Sequence, residues 1–180
     1  MNFDYEGYPL TFIQQQRCWD DSAHLFTRIY KFYSPITRYF YIVRAEYHDG
    51  DVFAIKFYCK KDRRSEFKYS KIVNKGDLGN VIMSCAKVIP MLLVDFPQAS
   101  FAFAASPSID RKGRIEPAGT TQRFRLYCYM IPLKFGTVTF AHFAYDSVSS
   151  YLLLNRKSEY SKETIEKAFI ETYETLSALS

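Results

Sequence analysis

"RYFYIVRAEYHDGDVFAIKFYCKK", Arg38 to Lys61, consists of two aromatic and β-branched runs on either side of Asp49-Gly50. Phe, Tyr, Ile and Val pack well on a pleated surface, and Asp-Gly accepts the positive φ values of a tight hairpin turn. The stretch predicts two antiparallel strands, near 38–48 and 51–60. With Asp49 and Gly50 as the two turn residues, His48 faces Asp51, and every other pair follows. Alternation then places Phe40, Ile42, Phe53, Ile55, Phe57 and Cys59 on a core face. Tyr39, Tyr41, Tyr47, Lys56, Tyr58 and Lys60 fall on the other.

Outward from this hairpin, residues 1–37 read as an N-terminal extension, partly helical and packed on a domain spanning 38–180. Leu25, Ile29 and Phe32 follow Asp20 and Asp21 at near-helical spacing. Downstream, "KKDRR" is a polar turn, and Glu66 to Val73 is expected to form a third strand. Leu78, Val81, Ile82, Cys85, Ile89 and Leu92 recur at three and four residues, which predicts a helix from about Asp77 that Pro90 ends or kinks. "ASFAFAAS" is a short buried strand, and "PSIDRKGRIEPAG" a polar loop. A helix is expected from Thr120 to about Pro132, and a strand in "TVTFAHFAYD". "SVSSYLLLNR" fits either class, and a final helix opens at Ser161 with Ile165, Phe169, Tyr173 and Leu176 on one stripe. The expected architecture is a single α+β domain, an antiparallel β-meander with two or three helices packed on one face.

Hydrophobic residues make up 48% of the 180 and charged residues 24%, a globular balance that excludes global disorder. The +5 formal charge permits an acidic partner. Cys18, Cys59, Cys85 and Cys128 form no C-x-x-C pair, and the opening residues lack the basic and apolar regions of a secretory leader. A cytoplasmic protein with no metal, no cofactor and no membrane association is the expectation. "VIPMLLVDF" is too short and interrupted to span a bilayer.

Neither G-x-G-x-x-G nor G-x-x-x-x-G-K-[ST] occurs, nor H-E-x-x-H or G-x-S-x-G. His48 abuts the hairpin turn and reads as solvated. His24 lies four residues after Asp20, but two ligands do not make a metal site. His142 and Asp146 fall on one face of a strand, an acid/base pair or an ordinary edge histidine. Tyr39, Tyr41, Lys56, Tyr58 and Lys60 have the composition of a single-stranded nucleic-acid platform, aromatics for stacking and cations for phosphates. They equally fit a half-exposed face of good strand formers.

In "GRIEPAGTTQRFRLYCYM", Gly113 to Met130, Thr120 is the expected N-cap. Arg123 and Arg125 point about 200° apart on a helix, so they cannot both face one small ligand. Arg123 adjoins the apolar stripe of Leu126, Tyr127, Met130 and Ile131. It is expected to be the more buried arginine, paired with Asp146, Glu163 or Glu166. Thr120 to Tyr127 resembles the T-x-x-R-x-R-L-Y segment of a family of small uncharacterised bacterial α+β proteins, matched at Thr120, Arg123, Arg125 and Tyr127. The resemblance implies a bacterial or phage origin and an α+β fold, and no activity.

Three functions fit these residues. The first is a non-catalytic binding or regulatory domain that contacts a protein or an acidic polymer. The second is a small metal-independent enzyme acting on nucleic acid, with Arg123, Arg125, Tyr127 and His142 as its charge-stabilising and proton-transfer groups. The third is a subunit whose aromatics are covered in a homo-oligomer.

Overall fold

The computed structural model describes residues 5–19, 24–71, 75–110 and 112–169. Its strands are β1 (Thr11–Arg17), β2 (His24–Ser34), β3 (Tyr39–His48), β4 (Val52–Cys59), β5 (Ser100–Ala104), β6 (Phe140–Tyr145) and β7 (Ser150–Asn155). They form one sheet in the order β1-β2-β3-β4-β5-β7-β6. Every pairing is antiparallel except β4 with β5. Parallel neighbours need a crossover, and α1 (Leu78–Ala86) with α2 (Val88–Asp95) supplies it. Together with α3 (Gln122–Phe135), they pack on one face of the sheet around Val43, Phe53, Phe101, Ile89, Leu92, Phe124 and Leu153. This is the expected α+β architecture. A further helical stretch, 162–169, lies on the second face, where Ile165 packs with Val52 and Leu152.

The hairpin forms between β3 and β4, but its register differs by one residue from a two-residue turn. His48 pairs with Val52 and Tyr41 with Cys59. Gly50 and Asp51 both have positive φ, 94° and 51°, so the reversal takes three residues. Asp51 is held in the turn from two sides: its carbonyl accepts from the Ser100 N–H at 2.9 Å and its carboxylate from the Tyr47 hydroxyl at 3.1 Å. Phe53, Ile55, Phe57 and Cys59 remain on the core face, now joined by Tyr41 and Tyr47, while Phe40 and Ile42 turn to the second face beside Lys56 and Tyr58.

Four other expectations are corrected. Residues 24–34 are a strand, not a helix: Phe26, Tyr30 and Phe32 alternate into the core, and pairing with β1 and β3 overrides the three-four spacing. The stretch before residue 38 thus contributes two strands to the common sheet. Residues 65–71 form successive turns with one bridge, Lys71 to Ile109, because the β4 edge that a third meander strand needs is taken by β5. Residues 72–74, the rest of that expected strand, and Tyr173 and Leu176 lie outside the described residues. Thr121, not Thr120, caps α3, accepting from the Phe124 N–H at 3.2 Å. The helix also continues through Pro132 to Phe135, since a proline in the last turn removes a single internal bond before the Gly136 cap.

Pro90 acts as expected. Its ring conflicts with the carbonyl four residues earlier, at Ala86, and the helix breaks between α1 and α2 at Lys87. Leu78–Asp95 together is long and apolar enough to cross a bilayer by length and composition. More than half of it is buried inside the fold, as core.

The register makes a direct prediction. Tyr41 is 4% exposed and Phe40 45%. Tyr41→Ala should cost about 3–5 kcal/mol in urea unfolding and Phe40→Ala no more than about 1. The opposite ranking would restore the two-residue turn.

Candidate functional site

The second face of the sheet carries Thr27, Lys31, Arg44, Glu46 and Lys56 together with the exposed rings of Tyr33 and Phe40. One cross-strand row runs Gln16, Thr27, Glu46, Ala54, Ala102, Leu152, Phe143. It is polar as far as Glu46 and apolar beyond. Glu46 is buried, with Lys56 Nζ at 2.8 Å, Arg44 Nε at 3.6 Å and His24 Nδ1 at 4.0 Å. Burial alone would raise its carboxyl, but the Lys56 ammonium, with His24 and Arg44, outweighs it and holds the pKa below the ordinary value.

Toward the β2–β3 turn the face becomes aromatic and basic. Tyr33 and Phe40 are cross-strand partners with ring centroids 5.1 Å apart, and they are 44% and 45% exposed. The ammonium nitrogens of Lys31 and Lys60 each lie 5.9 Å from the Phe40 ring centre. Tyr58 meets Tyr69 edge-on at 5.5 Å, and Lys68 sits over Tyr58 at 4.7 Å. The adjoining turn, Lys60 to Lys71, holds six basic residues against two acidic ones.

Of the five residues expected to share a platform, Lys56, Tyr58 and Lys60 do, and Tyr39 and Tyr41 do not. Tyr41 is buried beneath α1, its hydroxyl donating to Thr37 Oγ1 at 3.3 Å, and burial pushes its pKa up to about 12. Tyr39 is half-buried on the helix side, with Lys61 and Lys75 over its ring at 4.5 and 4.9 Å. Phe40 and Tyr33 occupy the position that reading assigned to the tyrosines. Exposed aromatics opposite each other on neighbouring strands were the available signal, and the assumed turn length hid it.

Arg123 is 5% exposed and Arg125 is exposed, in the expected order. Among the described residues, the expected pairing with Asp146, Glu163 or Glu166 does not form. Arg123 instead donates to the backbone carbonyls of Tyr69 and, at 3.0 Å, Lys71, with its guanidinium 4.9 Å from the Phe57 ring centre. Desolvation lowers its pKa, and neutral acceptors offset that burial. Arg123 therefore fastens the 60–71 turn to α3. Tyr127 is buried against Phe103, and His142 engages the Tyr151 hydroxyl at 2.7 Å and the Gly136 carbonyl. Asp146 lies beyond the end of β6, in a single 3-10 turn, so it does not continue the strand face of His142. Arg123 lines a cavity of about 20 Å³, and none of Arg123, Arg125, Tyr127 and His142 lines the larger one of about 640 Å³.

Sequence reasoning missed two features of the second face. Cys18 Sγ lies 3.2 Å from His24 Nε2, on the far side of the ring from Glu46, so thiol, imidazole and carboxylate stand in series. At 4.0 Å the carboxylate places charge near the ring without a hydrogen bond that fixes its tautomer. The other feature is the large cavity, floored by Ala54, Ala102 and Ala104 and walled by Tyr145, Ile165 and Phe169. Among the described residues, no group of three or more His, Cys, Asp or Glu side chains is placed to hold a metal ion.

No family model, curated protein or solved structure matches the chain.

The two arginines separate by stability. Arg123→Ala strips two backbone carbonyls of a buried charged donor and should cost about 3 kcal/mol, whereas Arg125→Ala should stay within about 0.5. Equal melting temperatures for both variants and the parent would show that Arg123 does not fasten the turn.

Proposed function

We propose that this is a non-catalytic, cytoplasmic binding domain whose partner is an acidic polymer, single-stranded nucleic acid in particular. The observation that carries the reading is the exposed Tyr33–Phe40 pair on the second face, with Lys31 and Lys60 beside it. Two neighbouring rings offer stacking surfaces that accept any base, and ammonium groups at their margins meet the phosphates. The basic excess of the 60–71 turn is four charges, most of the +5 carried by the whole chain, and Lys60 of that turn reaches the Phe40 ring. Four cysteines outside any disulfide fit a reducing compartment.

Anisotropy of a labelled single-stranded RNA or DNA of about twelve nucleotides, titrated across salt concentrations, tests this. Affinity should fall steeply with salt. Lys31→Gln and Lys60→Gln should each reduce the logarithmic salt slope by about one. Phe40→Ala should weaken binding by about 1–3 kcal/mol at every salt concentration. No retention at low salt refutes the proposal, and shortening of the RNA without added metal selects the enzyme reading in its place.

The homo-oligomer reading has its own support in β1. This strand lies at the edge of the sheet, is exposed at every residue, and carries Phe12 and Ile13 but no charge before Arg17. Such an edge is a template for strand addition by a second copy, blunted here by the bulge between Phe12 and Gln14. The parent chain should then elute as a dimer and Ile13→Lys as a monomer. Monomeric elution of the parent at high concentration eliminates this reading.

A further inference from the structure

The apolar half of the second face holds a site of a different kind. Its cavity, about 640 Å³, is of the size that small-molecule sites have. The space comes from the sequence. Ala54 and Ala102 are direct cross-strand partners in the row that continues to Leu152 and Phe143, and Ala104 lies two residues along β5. Three alanines stand where larger side chains would fill the gap beneath the 162–169 helical stretch, from which Ile165 and Phe169 form the roof.

The charges around this space are unequal at its two ends. Glu166 is matched by the Lys162 ammonium at 3.2 Å and accepts from the Tyr145 hydroxyl, so that end is neutral. At the other, Lys56 reaches the cavity while bonded to Glu46 at 2.8 Å, and Arg44 lies 3.6 Å from the same carboxylate. Among the described residues, two cations share this one carboxylate, so the Arg44–Glu46–Lys56 cluster carries a net positive charge and presents Lys56 to an apolar chamber. A neutral hydrocarbon would leave that charge unused, and a cation would be repelled by it. We infer that the cavity binds a small amphipathic monoanion, with its hydrocarbon or aromatic body over the alanine floor and its acid group at Lys56.

The test uses the full chain and 1-anilinonaphthalene-8-sulfonate, an aromatic body bearing a single sulfonate. One probe should bind per folded chain with a blue-shifted emission, and dodecanoate should displace it. Dodecanol should compete about tenfold less well, and dodecyltrimethylammonium not measurably, the tenfold being roughly one charge contact. Lys56→Met should remove the preference for dodecanoate over dodecanol. Ala102→Phe and Ala104→Phe, placed on different parts of the floor, should each abolish probe binding. Near-ultraviolet circular dichroism identifies the variants that keep native packing and separates pocket binding from uptake by a loosened state. Phe40→Ala should leave probe binding unchanged, so this result stands apart from that for nucleic acid. The inference is overturned if the three amphiphiles compete equally, if a natively packed alanine-floor variant binds as the parent does, or if the parent binds no probe.

Discussion

Asp51 decides which face each residue of the central hairpin occupies. Its carbonyl is tied to Ser100 at the start of β5, so the turn cannot tighten to two residues without releasing the parallel strand. Side chains alternate with a period of two, and a one-residue change in register exchanges the faces of an entire strand. Here it sends Tyr41 and Tyr47 inward and Phe40 outward, the reverse of what hydrophobicity alone selects. The inversion is tolerable because each inward hydroxyl has a local acceptor, Thr37 Oγ1 for Tyr41 and the Asp51 carboxylate for Tyr47. A buried tyrosine so satisfied loses little against phenylalanine.

The helix side of the sheet is held by two buried charged groups that do not bond each other. Asp77 accepts from the Tyr8 hydroxyl at 2.8 Å, the Ser34 hydroxyl at 2.5 Å and the Asn80 amide at 3.0 Å. Through these bonds it joins the segment before β1, the end of β2 and the start of α1. Arg123 similarly joins α3 to the 60–71 turn through backbone carbonyls. Both side chains line the same small cavity, and each is held there by neutral partners. Segments without regular structure are thereby fixed by polar bonds where apolar burial is sparse.

What was legible in the sequence followed from local chemistry. The Asp-Gly hairpin, the proline break in the helix after Asp77, the β5 run and the unequal burial of Arg123 and Arg125 each depend on residues close in the chain. What was missed depends on tertiary partners. Leu25, Ile29 and Phe32 fit a helical period, and only the flanking strands make His24–Ser34 extended. Thr121 outranks Thr120 as the cap because its backbone N–H donates to Ser149 Oγ at 2.9 Å and its hydroxyl to the Ala105 carbonyl at 3.1 Å, contacts that close across the fold. The cavity was invisible for the same reason, since alanines on separate strands become one floor only once the sheet order is known.

Glu46 explains how two unlike surfaces coexist on one face. Without it, Arg44 and Lys56 would extend the cationic field of the 60–71 turn to the margin of the alanine-floored cavity. With it, Lys56 is drawn toward β3, and the net positive charge of the Arg44–Glu46–Lys56 cluster is reduced. Glu46 lies between Thr27 on β2 and Ala54 on β4, at the point where the cross-strand row changes from polar to apolar. Its low exposure keeps the pair little screened by salt, unlike the solvated lysines of the turn. The two halves of the face therefore differ in their response to ionic strength. On the proposed readings, attraction of a polymer to the open lysines would weaken as salt rises, whereas apolar contact over the alanines and the partly enclosed charge at Lys56 would persist.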